Sequence, residues 1–385
     1  LKATPIIEKF NELFGPFQLV VRSPGRINLI GEHTDYNEGF VLPAAIDKEI
    51  FLAFAENGTK ECRIFSFDYG EMKTFSLLEF SPASSGWINY IMGVVAELLK
   101  GGHEVRGFDC VFGGNIPIGA GLSSSAALEN GVCFGLSTLF GLEIDRLSMV
   151  KYSQTAEHDY AGVACGIMDQ FASMMGKAGH AIRLDCRSLE YSYFPLNLGH
   201  YQFILCNTKV EHSLADTEYN QRRRECEMGV SAVQGHYSGI ASLRDVTFEM
   251  LDSVISELPL KVWKRCTYVL EENERLLKGC QMLETGDLEG FGTLMYGSHD
   301  GLSSKYEVSC PELDFLVDFT RERSEVLGAR MMGGGFGGCT INLVRKDQKE
   351  LFEAEITAAY QSEFNRNPEI YEVNIVDGTG LLELL

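Results

Sequence analysis

Arg26, Glu32, His33 and Asp35 fall within ten positions of one another, in a segment running from Gly25 to Gly39 directly after a strand-like run. Carboxylates accept hydrogen bonds from the hydroxyls of a small polar ligand, and a guanidinium offsets anionic charge as it develops. A turn bounded by glycine is a place where such side chains converge. The plain alternative is a salt-bridged polar turn. A metal centre is a poor reading, because His33 has no second histidine at helical spacing and the chain has no His-Glu-x-x-His pair.

A second segment, Pro117-Ile118-Gly119-Ala120-Gly121-Leu122-Ser123-Ser124-Ser125-Ala126-Ala127, stands between a strand-like run and a helix-period run. Its glycines permit positive φ and close backbone approach, and the amides opening the helix present partial positive charge to an anion. That chemistry suits a phosphate cradle, and a turn leading into a capped helix is the competing reading. No lysine completes a Walker A loop, and Ser124 stands where a dinucleotide fingerprint needs its third glycine. A further cluster at 333–338, Gly-Gly-Gly-Phe-Gly-Gly, formally fits Gly-x-Gly-x-x-Gly. The β-branched run after it, Cys339-Thr340-Ile341-Asn342-Leu343-Val344, reads as a strand where a helix should open. Its backbone must approach something closely, another strand or a ligand.

The elements that must position these segments are legible in outline. Strand-like runs at 17–22, 49–56, 61–67, 107–113 and 180–185 alternate with helix-period stretches at 87–100 and 124–140. After a strand at 202–207, the pattern predicts helices at 217–232, 247–256, 260–283 and 311–323. Strands at 328–332 and 339–345, a helix near 347–361 and a strand near 370–375 follow. The first half reads as mixed α/β and the second as more strongly helical, an α+β chain of two or three domains with a boundary near residue 200. With 385 residues and 45% hydrophobic content, two cores can form.

A net charge of −21 argues against nucleic acid and anionic membrane surfaces as partners. The longest apolar stretch, 50–55, is far short of a membrane span. The first residues lack a secretory h-region, and the 11 cysteines are too widely spaced for a disulfide framework or a metal knuckle. These features point to a cytosolic protein, with a monomer as the default. The Asn57-Gly58-Thr59 sequon reads as a solvated turn, and Arg222-Arg223-Arg224 as a salt-paired helix face beside Glu225 and Glu227.

Taken in order, the segments beginning at Gly25, Pro117 and Gly333 resemble the three signatures of the galactokinase family of GHMP sugar and metabolite kinases. Trp87-Ile88-Asn89-Tyr90, Cys165-Gly166-Ile167-Met168-Asp169-Gln170, Asp185-Cys186-Arg187-Ser188-Leu189 and Glu218-Tyr219-Asn220 extend the likeness over nearly the whole chain. The resemblance implies a two-lobed GHMP kinase fold with the site between the lobes. Residues 1–200 would form the N-terminal lobe, with a sugar-recognition segment at about 15–45 and the phosphate loop at 117–127. Residues 201–385 would form the C-terminal lobe, with the glycine-rich loop at 333–338. The implied reaction is ATP-dependent phosphorylation of α-D-galactose at its C1 hydroxyl.

By the same resemblance, Glu32, His33, Thr34, Asp35, Gly166, Asp169 and Tyr219 would surround the sugar. Gly119, Ala120, Gly121, Leu122, Ser123, Ser124 and Ser125 would wrap the triphosphate, Trp87 would lie against adenine, and Ser125 with Glu157 would hold Mg²⁺. Asp169 would be the acidic catalytic residue, as general base or as orienter of the hydroxyl, with Arg26 its electrostatic partner. One departure is Met332, which stands where the third signature commonly has threonine. Losing that hydroxyl should remove a hydrogen bond of about 0.5–1.5 kcal/mol and leave the reaction class intact. Two rivals share the pattern: N-acetylgalactosamine kinases, and fungal galactose sensors that bind ATP and sugar without turnover. The sensors lack the Ser-Ala step that Ser125-Ala126 retains here.

Overall fold

Apolar residues on the first long strands alternate between two faces, and each face has its own cover. The computed structural model describes residues 3–117, 119–210 and 215–383, so Ile118 of the phosphate loop lies outside the described residues. Helix α1 (Thr4–Phe14) leads into β1 (Leu19–Asn28), β2 (Phe40–Val41), β3 (Pro43–Glu56), β4 (Glu61–Ser66) and β5 (Glu71–Ser76). Helix α2 (Ile88–Lys100), β6 (Phe108–Gly114), α3 (Ser124–Phe140), α4 (Arg146–Ala156) and α5 (Met168–Met175) follow, with a π turn at Glu157–Ala161. Val20, Phe51, Ala53 and Val111 pack under α1 with Ile6 and Phe10. Their neighbours Val21, Leu52, Phe54, Cys110 and Phe112 face the other way, into the core shared with α2, α3, α4 and α5. The period of two thus builds a sheet with helices on both sides.

A hairpin of β7 (His180–Asp185) and β8 (Tyr191–Pro195) joins β2 in a three-stranded sheet. After this hairpin come β9 (Tyr201–Asn207), α6 (Ala215–Gln234), α7 (Phe248–Ser253), α8 (Leu260–Thr285), α9 (Leu288–Gly301) and α10 (Pro311–Thr320). Strands β10 (Val326–Met331) and β11 (Cys339–Arg345), helix α11 (Lys349–Phe364), β12 (Glu369–Val373) and β13 (Gly380–Leu381) complete the described chain. The second sheet is antiparallel in the order β10-β11-β9-β12. One face packs Ile204, Cys206 and Val344 on α10 and α11 through Leu316, Phe352, Ile356 and Tyr360. The other face sets Phe203, Leu205, Ile341 and Leu343 against Ile27, Leu29, Leu42 and Ala44 of the first lobe, with Leu276 and Cys280 of α8.

That shared core makes the lobe interface part of the interior. The chain also crosses back: Ile375 bridges Ile46, and β13 pairs with β1 at Val21 and Arg22, at the edge of the order β13-β1-β3-β6-β4-β5. Among the described residues every cysteine is free and no helix is long and apolar enough to cross a membrane.

Candidate active site

A register shift between Pro24 and Arg26 interrupts the pairing of β1 with β3, which resumes from Arg26 to Asn28 and carries Ile27 into the core shared by the lobes. Gly25 is needed there, since a Cβ would fall 2.5 Å from the Leu122 carbonyl oxygen. That same oxygen accepts the Arg26 amide at 3.1 Å, which ties β1 to the phosphate loop.

The Arg26 guanidinium then points at Asp169 in the first turn of α5. Nε donates to Oδ1 at 2.8 Å and Nη2 to Oδ2 at 2.9 Å, a two-pronged pair, and Nη1 donates to the Gly121 carbonyl at 2.7 Å. Burial works against the Arg26 charge, but Asp169 and Glu32 outweigh it and its pKa is raised. The Ser123 hydroxyl adds a third donor to Asp169, 2.5 Å from Oδ2. Ser123 itself sits at φ 59° before α3, so its side chain reaches across to Asp169 instead of capping the helix.

Asp169 and Arg26 line a cavity of about 170 Å³ together with Glu32, His33, Asp35, Gly166, Tyr219 and the backbone of Gly333–Gly335. Each wall has a structural reason. Arg330 of β10, fully buried, pairs with Glu32 and also donates to the Asn28 carbonyl at 3.0 Å. Burial raises the pKa of Glu32, against the pull of Arg330. His33 adopts φ 62°, its Nδ1 lies 2.8 Å from the Tyr36 hydroxyl, and that hydroxyl meets Tyr306 at 2.6 Å. Burial and the nearby Arg222 push the His33 pKa down to about 3, so the imidazole is neutral at ordinary pH. Burial and the neighbouring Asp169 push Asp35 up to about 7. Gly166 is required beside it, because a Cβ would fall 1.9 Å from Asp35 Oδ2.

A second cavity of about 260 Å³ is lined by Trp87, Tyr90, Phe112, Ile116, Asp68, Tyr69, Ser124, Ser125 and Leu128. Trp87 is fixed by an Nε1 hydrogen bond to Glu71 at 2.6 Å and by edge contact with Phe112. The start of α3 divides the two spaces: Ser124 and Ser125 face the aromatic cavity, while Ser123 holds Asp169 of the polar one. Glu157 lines the polar cavity, and burial pushes its pKa up to about 7 while a hydrogen bond from Ser125 pulls the other way. Behind it, Gln170 bridges Glu157 to the fully buried Glu129.

The chain matches three family descriptions in succession: the galactokinase galactose-binding signature over residues 8–56, the GHMP kinase N-terminal domain over 89–177 and the GHMP kinase C-terminal domain over 277–362. It is 44% identical over 358 residues to the galactokinase of Thermotoga neapolitana, an alignment covering 93% of this chain and 98% of that one. This chain belongs to the galactokinase family. Lactococcus lactis galactokinase complexed with galactose superimposes with a TM-score of 0.94 at 36% identity, over 98% of this chain and 99% of that one. Methanococcus jannaschii mevalonate kinase, 18% identical with a TM-score of 0.69, shares the fold, with 94% of this chain and 100% of that one covered. The architecture is the two-lobed GHMP kinase fold.

Within that family framework, most of the residues singled out in the sequence converge. Thr34 does not line the polar cavity: it is fully buried, and its hydroxyl lies 2.9 Å from the Gly31 carbonyl and 2.5 Å from that of Phe40, holding the turn closed. Ala120 and Leu122 are also buried, so any anion here would meet backbone rather than their side chains. The glycine-rich loop packs on the phosphate loop, with Gly333 close to Gly121 and Gly338 close to Ala120. Met332 is buried in the shared core, and its sulfur accepts the Asn28 amide at 3.4 Å. A thioether thus takes up a backbone donor at the position that commonly carries threonine.

Arg222 and Arg223 pair with Glu218 and Glu227 along α6, a salt-paired helix face, but Arg222 also reaches inward. It is buried and donates to the carbonyls of Tyr306 at 3.0 Å and Glu307 at 2.7 Å. Arg330, Tyr306, Gln170 and Glu129 are site-supporting residues that sequence reasoning missed. A lone arginine inside the apolar run 326–331 was the one signal that could have drawn attention, because a buried guanidinium requires partners.

Proposed function

We propose that this protein transfers the terminal phosphoryl group of ATP to the C1 hydroxyl of α-D-galactose, giving α-D-galactose 1-phosphate and ADP, the entry step of the Leloir pathway. The observation that carries this reading is the Arg26–Asp169 pair in a small polar cavity, tied through Ser123 to the start of α3, whose Ser124 and Ser125 line an aromatic cavity. Each space suits one small molecule. Glu32, His33, Asp35, Gly166 and Tyr219 read the sugar hydroxyls through carboxylate, neutral imidazole, phenol and backbone. Thr34 acts behind them by shaping their turn. Trp87 lies against adenine, and the backbone of Gly119 to Ser125 wraps the phosphates.

Asp169 accepts the hydrogen bond of the C1 hydroxyl. With three donors already fixing its two oxygens, it can accept that hydrogen bond in one geometry, so orientation and proton acceptance are supplied together. Arg26 keeps positive charge beside the transferring group, where phosphoryl oxygens need it. Mg²⁺ would be held by Ser125 and Glu157, hard oxygen donors placed together, and when bound it would neutralise phosphate charge. Two protein ligands fit an ion that keeps waters and takes phosphate oxygens. Among the described residues no group of three or more His, Cys, Asp or Glu could hold a metal. A site complete within one chain supports a monomer, and free cysteines throughout the described chain support the cytosol.

The test is ADP release with Mg-ATP and galactose, N-acetylgalactosamine, glucose or no sugar. Turnover is expected with galactose alone, and Asp169→Asn should lower it by about 10²–10⁴. Binding of both ligands without ADP release by the unaltered protein would instead make it a sensor.

A further inference from the structure

The turn from Gly31 to Phe40 carries Glu32, His33 and Asp35 and belongs to the first lobe in sequence, yet its backbone is held from the second. One side of α8 presents Tyr268, Glu272, Asn273 and Leu276, whose spacing of three or four residues returns them to a common face. The Tyr268 hydroxyl donates to the Glu32 carbonyl at 3.1 Å. Glu272 Oε1 accepts the Gly31 amide at 2.9 Å, and Asn273 Oδ1 accepts the Phe40 amide at 2.9 Å. Adjacent residues of one helix therefore grip both ends of the turn.

These contacts are themselves braced. The Ser298 hydroxyl donates to the same Glu272 oxygen at 2.6 Å, and Arg275 pairs with the other oxygen. The Asn273 amide donates to the Val269 carbonyl at 3.1 Å, which leaves its oxygen facing Phe40. The turn also lies directly on the helix. Gly31 has φ +100°, and a Cβ there would fall 2.6 Å from Leu276 Cδ1; at Gly39 it would fall 2.5 Å from Asn273 Oδ1. A fully buried carboxylate is expensive to keep, and Glu272 has no place among the residues lining the polar cavity. Its partners are the turn and its own braces.

Resting on the reading of that cavity as the galactose site, we infer that Glu272 and Asn273 are positioning residues for sugar recognition. They set the placement of the turn through its two end amides, and with it the aim of Glu32, His33 and Asp35. The nucleotide side is lined from β3, β6, α2 and α3 and by none of these α8 residues.

Steady-state kinetics with galactose and ATP varied separately test the inference in the full chain. Asn273→Ala and Glu272→Ala should each raise KM for galactose about tenfold, the effect of leaving one buried amide unpaired, with KM for ATP within about twofold of the parent. Glu272→Gln keeps an acceptor for Gly31 and should recover most of the galactose affinity lost in Glu272→Ala. Asn273 is only half-buried, so Asn273→Ala keeps the test decisive if Glu272→Ala fails to fold. Equal rises in both KM values, or no change in either for Asn273→Ala, would overturn the inference. Absence of galactose-dependent ADP release by the unaltered protein would instead overturn the functional reading beneath it.

Discussion

At Asp35 and His33, two residues apart on one turn, burial moves titration in opposite directions. The carboxyl retains its proton up to about 7 because a charge there would be poorly solvated and would face Asp169. Its folded value lies above its unfolded one, so the associated stability is present at low pH and is lost as pH rises through about 7. The imidazole, held down at about 3, behaves oppositely: its contribution is present above its unfolded value of 6.5 and is lost as pH falls towards 3. For ligand binding the Asp35 carboxylate is the better acceptor of sugar hydroxyls. KM for galactose should therefore fall as pH rises from about 6 to 8, and Asp35→Asn should flatten that dependence while weakening binding throughout. A pH profile of kcat/KM for galactose, measured beside that for ATP, checks this; an unchanged slope in the variant would assign the titration elsewhere.

At the scale of elements, the sequence made periodicity visible and concealed packing. Apolar patterning placed β4, β6, β7, β9 and β11 closely, whereas β3 begins at Pro43, well before the run at 49–56 that marked it. Helix α9 escaped notice because glycines at 290, 292, 297 and 301 lower helix propensity. Their purpose is contact: a Cβ on Gly292 would fall 2.1 Å from the Leu327 carbonyl, so the helix rests directly on β10. The motifs named the cavity-lining residues, whereas Arg330 and the Glu272–Asn273 grip became visible only when distant segments met in space. The short connection from the π turn to α5 shows the same dependence on close approach. Gly166→Ala should displace Asp35 rather than strain the backbone, since Gly166 is not among the residues with positive φ. Galactose KM should rise by about tenfold or more with ATP KM nearly constant. Paired KM measurements with a melting curve separate this from unfolding, which would reduce active protein without changing either KM.

The whole molecule is held together by more than the segment near residue 200. Each lobe has a core of its own, and apolar side chains from β1, β3, β9, β11 and α8 share a further interior between them. The chain's return to β1 adds a lock near the chemistry. The Thr379 hydroxyl, fully buried, lies 2.8 Å from the Ser23 hydroxyl and donates to the Ser173 carbonyl at 3.0 Å, joining β1, which carries Arg26, to α5, which carries Asp169. The Arg146 guanidinium closes the same junction on the Thr379 carbonyl at 2.8 Å. Acidity of −21 sets the outer field of this body, while the site itself balances Arg26, Arg222 and Arg330 against its carboxylates. A shared interior implies that heating unfolds both lobes in one transition, and the lock implies that a change where the chain's return meets β1 and α5 moves that transition as a whole. Thr379→Val keeps volume but removes the hydroxyl, leaving Ser23 short of a partner at a cost of about 1–3 kcal/mol. In scanning calorimetry the single peak should shift down by about 1–5 °C without splitting. Two peaks in the parent, or movement of only one of two peaks in the variant, would mean that the lobes unfold independently and that the packing between them is a docking contact.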